Sequence, residues 1–202
     1  MKKTLYRIGT VLAVVALIAV AGLAGRHYWA MMAGSPQESG TAAIGGPFAL
    51  VDDEGRTVTE ADFRGQPMLV YFGYTYCPDV CPTTLSAIAE AIDLLGDKGH
   101  DIAVLFITVD PERDRPENVG DYARAFHPQV VGLTGSAEQV AAAARAYRVY
   151  YAKANQDPND PEDYAMDHSA YTYLMGRDGK FLTHFTHGVS ARDMAERIAK
   201  LL

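Results

Sequence analysis

The stretch Met68-Leu69-Val70-Tyr71-Phe72-Gly73-Tyr74-Thr75-Tyr76-Cys77-Pro78-Asp79-Val80-Cys81-Pro82 carries no charge before Asp79. Residues 68–74 form a continuous apolar and aromatic run, which predicts a buried central strand. Pro82 suits a helix N1 position, and Leu85, Ile88, Ala89, Ile92 and Leu95 follow at helical spacing. Strand therefore passes into helix across the chain's only two cysteines. A helix N-terminus offers free N–H groups and the positive end of a dipole, which favour thiolate over thiol. Helical residues four apart face the same way, so both sulfurs can reach one ion. Cys-x-x-Cys is the usual redox spacing. Three intervening residues fit a metal at least as well. A redox dithiol, a metal site, or both on the same atoms remain open. A structural disulfide across so short a loop contributes little, and two inert cysteines are hard to reconcile with their shared five-residue window.

Outward from this junction the elements alternate. Phe48-Ala49-Leu50-Val51, the turn Asp52-Asp53-Glu54-Gly55 and Arg56-Thr57-Val58-Thr59 read as a hairpin. Residues 102–109 read as a second buried strand, 116–126 as a helix, and 130–133 as a short strand. Ser136 can cap an alanine-rich helix running to about Tyr147. Residues 171–175 and 180–185 flank Gly176-Arg177-Asp178-Gly179 as a second hairpin, and Ser190 can cap a last helix ending at Leu202. A βαβ unit requires parallel strands and the late hairpin antiparallel ones. The fold class is thus α/β: a mixed sheet with helices on both faces, in the layout of the thioredoxin-like fold with an extra N-terminal β-hairpin.

Ahead of this domain, Ile8–Ala24 is a 17-residue uncharged and largely apolar run. Lys2, Lys3 and Arg7 precede it, and Arg26, His27, Tyr28 and Trp29 follow. It reads as one transmembrane helix (8–24) within an N-terminal membrane anchor (1–29), with the N-terminus cytoplasmic and an aromatic belt on the far side. Ala19-Val20-Ala21 offers the competing reading of a signal-peptide cleavage site, and both readings export the remainder. Residues 30–46 turn small and polar, as a flexible tether does, leaving 47–202 as the folded domain. Of the chain's net −7, the first 34 residues contribute four cations and no acid, so the body carries −11. A body so acidic is a poor phosphate-backbone binder, which argues against a nucleic-acid partner.

Two thiolates need at least one further ligand to hold a metal. Of the six histidines, His27 sits at the membrane flank, His100 in a loop and His127 at a helix end, while His184 and His187 suit a solvated strand face. His168 stands in the polar stretch Tyr164-Ala165-Met166-Asp167-His168-Ser169, just before the late hairpin. In a thioredoxin-like layout the loop entering that strand faces the cysteine turn, which makes His168 the candidate third ligand.

The segment from Val70 to Thr84, with Cys77-Pro78-Asp79-Val80-Cys81-Pro82 at its centre, resembles the signature of the Sco/SenC copper chaperones of cytochrome oxidase assembly. Leu50-Val51-Asp52 to Gly55, Asp62-Phe63-Arg64-Gly65, Val109-Asp110-Pro111-Glu112-Arg113-Asp114 and Asp167-His168-Ser169 follow in the family's order. The resemblance implies a thioredoxin-like fold and copper held by Cys77, Cys81 and His168. It further implies delivery to the CuA site on subunit 2 of cytochrome c oxidase. That places the protein at the inner (cytoplasmic) membrane with its soluble domain on the periplasmic side, loaded by an upstream copper donor.

The donor set suits copper. Cu(I) accepts two soft thiolates and one imidazole, whereas structural zinc usually takes four protein ligands. Cu(II) prefers a tetragonal set, for which Asp79, Asp167 and Met166 are further donors to weigh; their plainer roles are turn formation, orientation of His168 and packing. The charged loop Asp110–Pro116 reads as solvated, with local ion pairs, or as a docking surface. Against a metal carrier stand a thiol–disulfide oxidoreductase acting on partner cysteines, and a thiol peroxidase, which would need Arg64 or Arg113 to approach the thiols.

Overall fold

The computed structural model describes residues 44–154, 160 and 163–202, together with Val20, Gly22 and Gly25, which are helical. Apart from those three and 44–46, the anchor and tether expected over 1–46 lie outside the described residues. Among the described residues no helix is long and apolar enough to cross a membrane.

The run that opens with Met68 forms β3 (Met68–Gly73), after β1 (Ala49–Val51) and β2 (Thr57–Thr59) have paired as an antiparallel hairpin. Every residue of β3 is buried, as is every residue of β4 (Ala103–Thr108). Neither strand has a polar face to offer water, so both lie inside a sheet covered on both sides. β3 pairs β4 in parallel, and β4 pairs β5 (Val130–Leu133) in parallel. On its other edge β3 pairs β8 (Tyr171–Met175) antiparallel, and β8 pairs β9 (Phe181–Thr186). The five-stranded order is β5-β4-β3-β8-β9, with β3 at the centre.

Helices α1 (Val80–Leu95), α2 (Asp97–His100), α3 (Pro116–Phe126), α4 (Ala137–Ala146) and α5 (Ala191–Leu201) complete the domain. Ser136 and Ser190 cap α4 and α5 as expected, each accepting from the amide three residues on. Tyr71 and Phe106 stack on one face of the sheet, where Phe106 meets Tyr122 of α3, while Phe72 on the other face meets Tyr147 at the end of α4. Helices therefore cover both faces, and the mixed sheet with its extra N-terminal hairpin is the thioredoxin-like layout read from the sequence.

Three features differ from expectation, the smallest being that His100, read as a loop residue, ends the short helix α2. Helix α1 begins at Val80 rather than Pro82, because a proline in the first turn gives up only an amide that has no helical partner. The polar stretch before β8, expected as a loop, contains β7 (Ala165–His168), which pairs antiparallel with β6 (Tyr151–Ala154). This β6–β7 hairpin stands outside the five-stranded sheet.

Candidate metal centre

The cysteine turn is held at the C-terminal end of the central strand. Gly73 closes β3, and a Cβ there would lie 2.8 Å from Cys81 Sγ and 2.9 Å from Phe106 Cε2. Glycine is required because the sulfur beds directly on the strand. Thr75 then anchors the turn from both backbone and side chain: its amide and hydroxyl donate to Asp114 at 3.0 and 2.5 Å. Cys77 precedes the helix and Cys81 is its second residue, so the two are not both on the helix as the four-residue spacing suggested. They meet by another route. The Cys81 amide, one of the unpaired first-turn donors, donates to Cys77 Sγ at 3.3 Å. Asp79 makes no side-chain cap, and its exposed carboxylate accepts instead from Thr83 Oγ1.

His168 ends β7 opposite Tyr151 and turns its Nε2 to 3.6 Å from Cys81 Sγ. Its Nδ1 lies 3.3 Å from the Ser169 carbonyl oxygen. A proton on Nδ1, donated to that carbonyl, leaves the Nε2 lone pair to a metal, whereas a proton on Nε2 lets the metal-free ring donate to the cysteine sulfurs. Tyr71 and Tyr74 present edge-on contacts to the imidazole, and the Tyr71 hydroxyl donates to Cys81 Sγ at 3.5 Å. One donor atom from each of Cys77, Cys81 and His168 lies within 4.8 Å of the others, a group able to hold one metal ion. Cys81 is fully buried; Cys77 and His168 are half-buried and form the accessible side.

The two thiols are far from equivalent. The hydrogen bond from the Cys81 thiol pushes Cys77 down to about 4, against the opposing effect of burial; His168 and the amides of Cys81 and Asp79 add to the lowering. Donation to Cys77, together with burial, holds Cys81 well above the ordinary thiol range. The pair thus shares one proton, with the negative charge on the more accessible sulfur, that of Cys77.

A family model described as SCO1/SenC matches residues 36–202. The chain belongs to that family. It is similar to Protein SenC of Rhodobacter capsulatus, 43% identical over 164 residues that cover 81% of this chain and 73% of that one. It is also similar to an SCO2-like protein of Rickettsia prowazekii, 42% identical over 153 residues, covering 76% and 74% of the two chains. Among solved structures, that of Arabidopsis thaliana ScoI with copper bound superposes with a TM-score of 0.73 at 42% identity, covering 78% of this chain and 97% of that one.

The other sequence candidates fall elsewhere. Asp79 and Asp167 are exposed and outside the three-residue group, and Met166 is buried in the core. His184 is exposed beside Tyr171 and Phe181, and His187 turns to Thr84 of α1 through a 3.2 Å contact. Arg64 is exposed after the 3-10 turn Glu60–Phe63. The charged loop has the local ion pair expected of it, Arg113 with Asp110, and Glu112 and Arg115 are exposed, but two of its acids are not solvated. Asp110 and Asp114 are buried and act as a brace. Asp114 receives Thr75 and Thr108, while Asp110 receives Arg113 at 2.6 Å and the Tyr164 hydroxyl at 2.8 Å. The only sequence signal was that the loop directly follows a wholly buried strand.

Proposed function

We propose that this protein is a membrane-anchored copper chaperone that binds copper through Cys77, Cys81 and His168 and delivers it to the CuA site of cytochrome c oxidase subunit 2. The observation that carries this reading is the convergence of two sulfurs and one imidazole nitrogen within 4.8 Å. The donors are soft, three in number and asymmetrically exposed. Cu(I) is satisfied by three such ligands, and incoming ligands of a recipient can approach over Cys77 and His168 while Cys81 stays buried. Copper is the cargo here, and release by stepwise ligand replacement needs no bond-making chemistry from the protein. In this reading residues 1–29 anchor the chain in the inner membrane, 30–46 tether it, and 47–202 work on the periplasmic side, loaded by an upstream copper donor. Membership of the SCO1/SenC family and the copper-bound relative support it.

Titration of the reduced full-length chain in detergent with Cu(I), and separately with Cu(II), tests the reading. One equivalent bound tightly, and weakened about tenfold to a hundredfold or lost in His168→Ala, is the expected result. Weak binding by the parent with no change in the mutant would overturn it.

The contrast between the two thiols favours a second use of the same atoms, as a dithiol reductant of partner cysteines. The half-buried Cys77 thiolate would attack one sulfur of a partner disulfide and expel the other as thiolate. Cys81, giving up its proton, would then attack Cys77 Sγ and release the reduced partner. Two electrons pass to the partner and a Cys77–Cys81 disulfide remains. This use is insensitive to His168→Ala in its requirement for a ligand, so the same mutant separates the two.

A further inference from the structure

Among the described residues, the hairpin that carries His168 pairs with no strand of the five-stranded sheet that leads into the cysteine turn. Its His168 end is tethered by the short connection into β8. Its other end meets the β4–α3 loop, whose Asp110 is buried and whose Arg113 is largely so. Arg113 Nε pairs with Asp110 Oδ2 at 2.6 Å, and Nη1 donates to the Tyr164 carbonyl oxygen at 2.9 Å. The guanidinium lies 3.6 Å from the centre of the Tyr164 ring, and the Tyr164 hydroxyl closes the circuit by donating to Asp110 Oδ1. Tyr164 immediately precedes β7. The same guanidinium lies 4.7 Å from the ring centre of Tyr76 and 5.9 Å from that of Tyr74, the residues flanking Thr75 in the cysteine turn. Tyr74 in turn meets the His168 ring edge-on at 6.0 Å.

We infer that Arg113 is a positioning residue that sets His168 against the cysteine pair by joining the cysteine turn to the foot of β7. The physical case rests on what this side chain touches. Its charge is 14% exposed and faces a carboxylate that is 1% exposed, so water does not compete for the pair. A planar guanidinium stacks on one ring and forks to a carboxylate and a carbonyl at the same time; an ammonium cannot do both. The exposed Lys153–Glu112 pair also links the hairpin to this loop, but in open solvent it contributes little. Without Arg113, β7 keeps its pairing with β6, its link to β8 and the burial of Met166 in the core, yet loses the guanidinium that joins its foot to the cysteine turn.

The inference rests on the copper reading for one arm of its test and is independent of it in the other. In the metal-free, reduced full-length protein, nuclear Overhauser contacts between the His168 and Tyr74 rings are expected in the parent and lost in Arg113→Leu. In Cu(I) competition titrations, Arg113→Leu is expected to weaken binding about tenfold to a hundredfold, as outer-shell supports of metal ligands do. The same change in a His168→Ala background is expected to cost nothing further, because the two act through one ligand. Arg113→Lys should rescue only part of the loss. If Arg113→Leu fails to fold, Arg113→Lys and Tyr164→Phe carry the same cycle with smaller losses. Retained ring contacts with unchanged affinity would overturn the inference. So would an equal loss with and without His168. A parent that binds no copper would sink the proposed function, while the ring contacts would still decide the role of Arg113.

Discussion

The two sides of the candidate centre are built in opposite ways. The cysteines sit where the central strand of a five-stranded sheet runs into a helix, with Cys81 fully buried against Gly73 and Phe106. The histidine rides on a four-residue strand in a two-stranded hairpin, half-buried, and is held by side-chain contacts rather than by the main sheet. A strand buried on both faces resists displacement because moving it opens a close-packed core. A two-stranded hairpin has little stability of its own and takes its position from what it leans on. In the proposed carrier reading, that asymmetry would keep the two sulfurs fixed while the imidazole yields when cargo is exchanged.

Three experiments bear on this contrast. The largest effect concerns where the thiolate is stabilised. With Cys77 pushed down to about 4, its alkylation rate in the metal-free protein should be nearly flat between about pH 5 and 8, where an ordinary thiol accelerates about tenfold per pH unit. The sign follows from the proton: above its own pKa the sulfur is already thiolate, so raising the pH adds no reactive form. Cys81→Ala, which removes the principal hydrogen-bond donor, should restore most of the slope, and His168→Ala should restore less of it. A steeper profile in His168→Ala than in Cys81→Ala would reverse the assignment and make the hairpin the dominant side.

Next in size is Gly73→Ala. The added methyl meets Cys81 Sγ and Phe106 within 3 Å, and overpacking of this kind costs about 1–3 kcal/mol in denaturant unfolding. Copper affinity should fall with it, because the sulfur is displaced from the strand. An unchanged unfolding midpoint would show that the cysteine side is softer than its burial suggests. The smallest effect belongs to Tyr71→Phe, which keeps the ring and deletes one hydrogen bond to Cys81 Sγ, at a stability cost of about 1 kcal/mol. Since hydrogen bonding around a cysteine sulfur tunes a copper site, the thiolate-to-Cu(II) absorption should shift in this variant; an unmoved band would confine Tyr71 to packing.

Much of this architecture was legible in residue order. The uncharged run 68–74, the helical spacing after Pro82, and Ser136 and Ser190 before their helices are local signals, and each appears where such signals put it. The cysteine pair was legible for the same reason, lying at one strand-to-helix junction. What escaped was non-local. The β6–β7 hairpin pairs segments separated by a polar insertion, and neither strand is apolar enough to announce itself: Tyr151, Ala152, Lys153 and Ala154 face His168, Asp167, Met166 and Ala165 in turn.

Chemistry and layout are thus properties of the sequence alone: two soft sulfurs at a helix start, one well-placed imidazole, and a thioredoxin-like order of elements. Only tertiary structure decided that Cys77 carries the charge, that the Asp110–Asp114 loop turns inward as a brace, and that Arg113 joins the histidine's strand to the cysteine turn. The physical reason is distance along the chain. Hydrophobic spacing and capping act within a few residues, whereas a thiol's proton and a buried guanidinium answer to groups that only folding brings beside them.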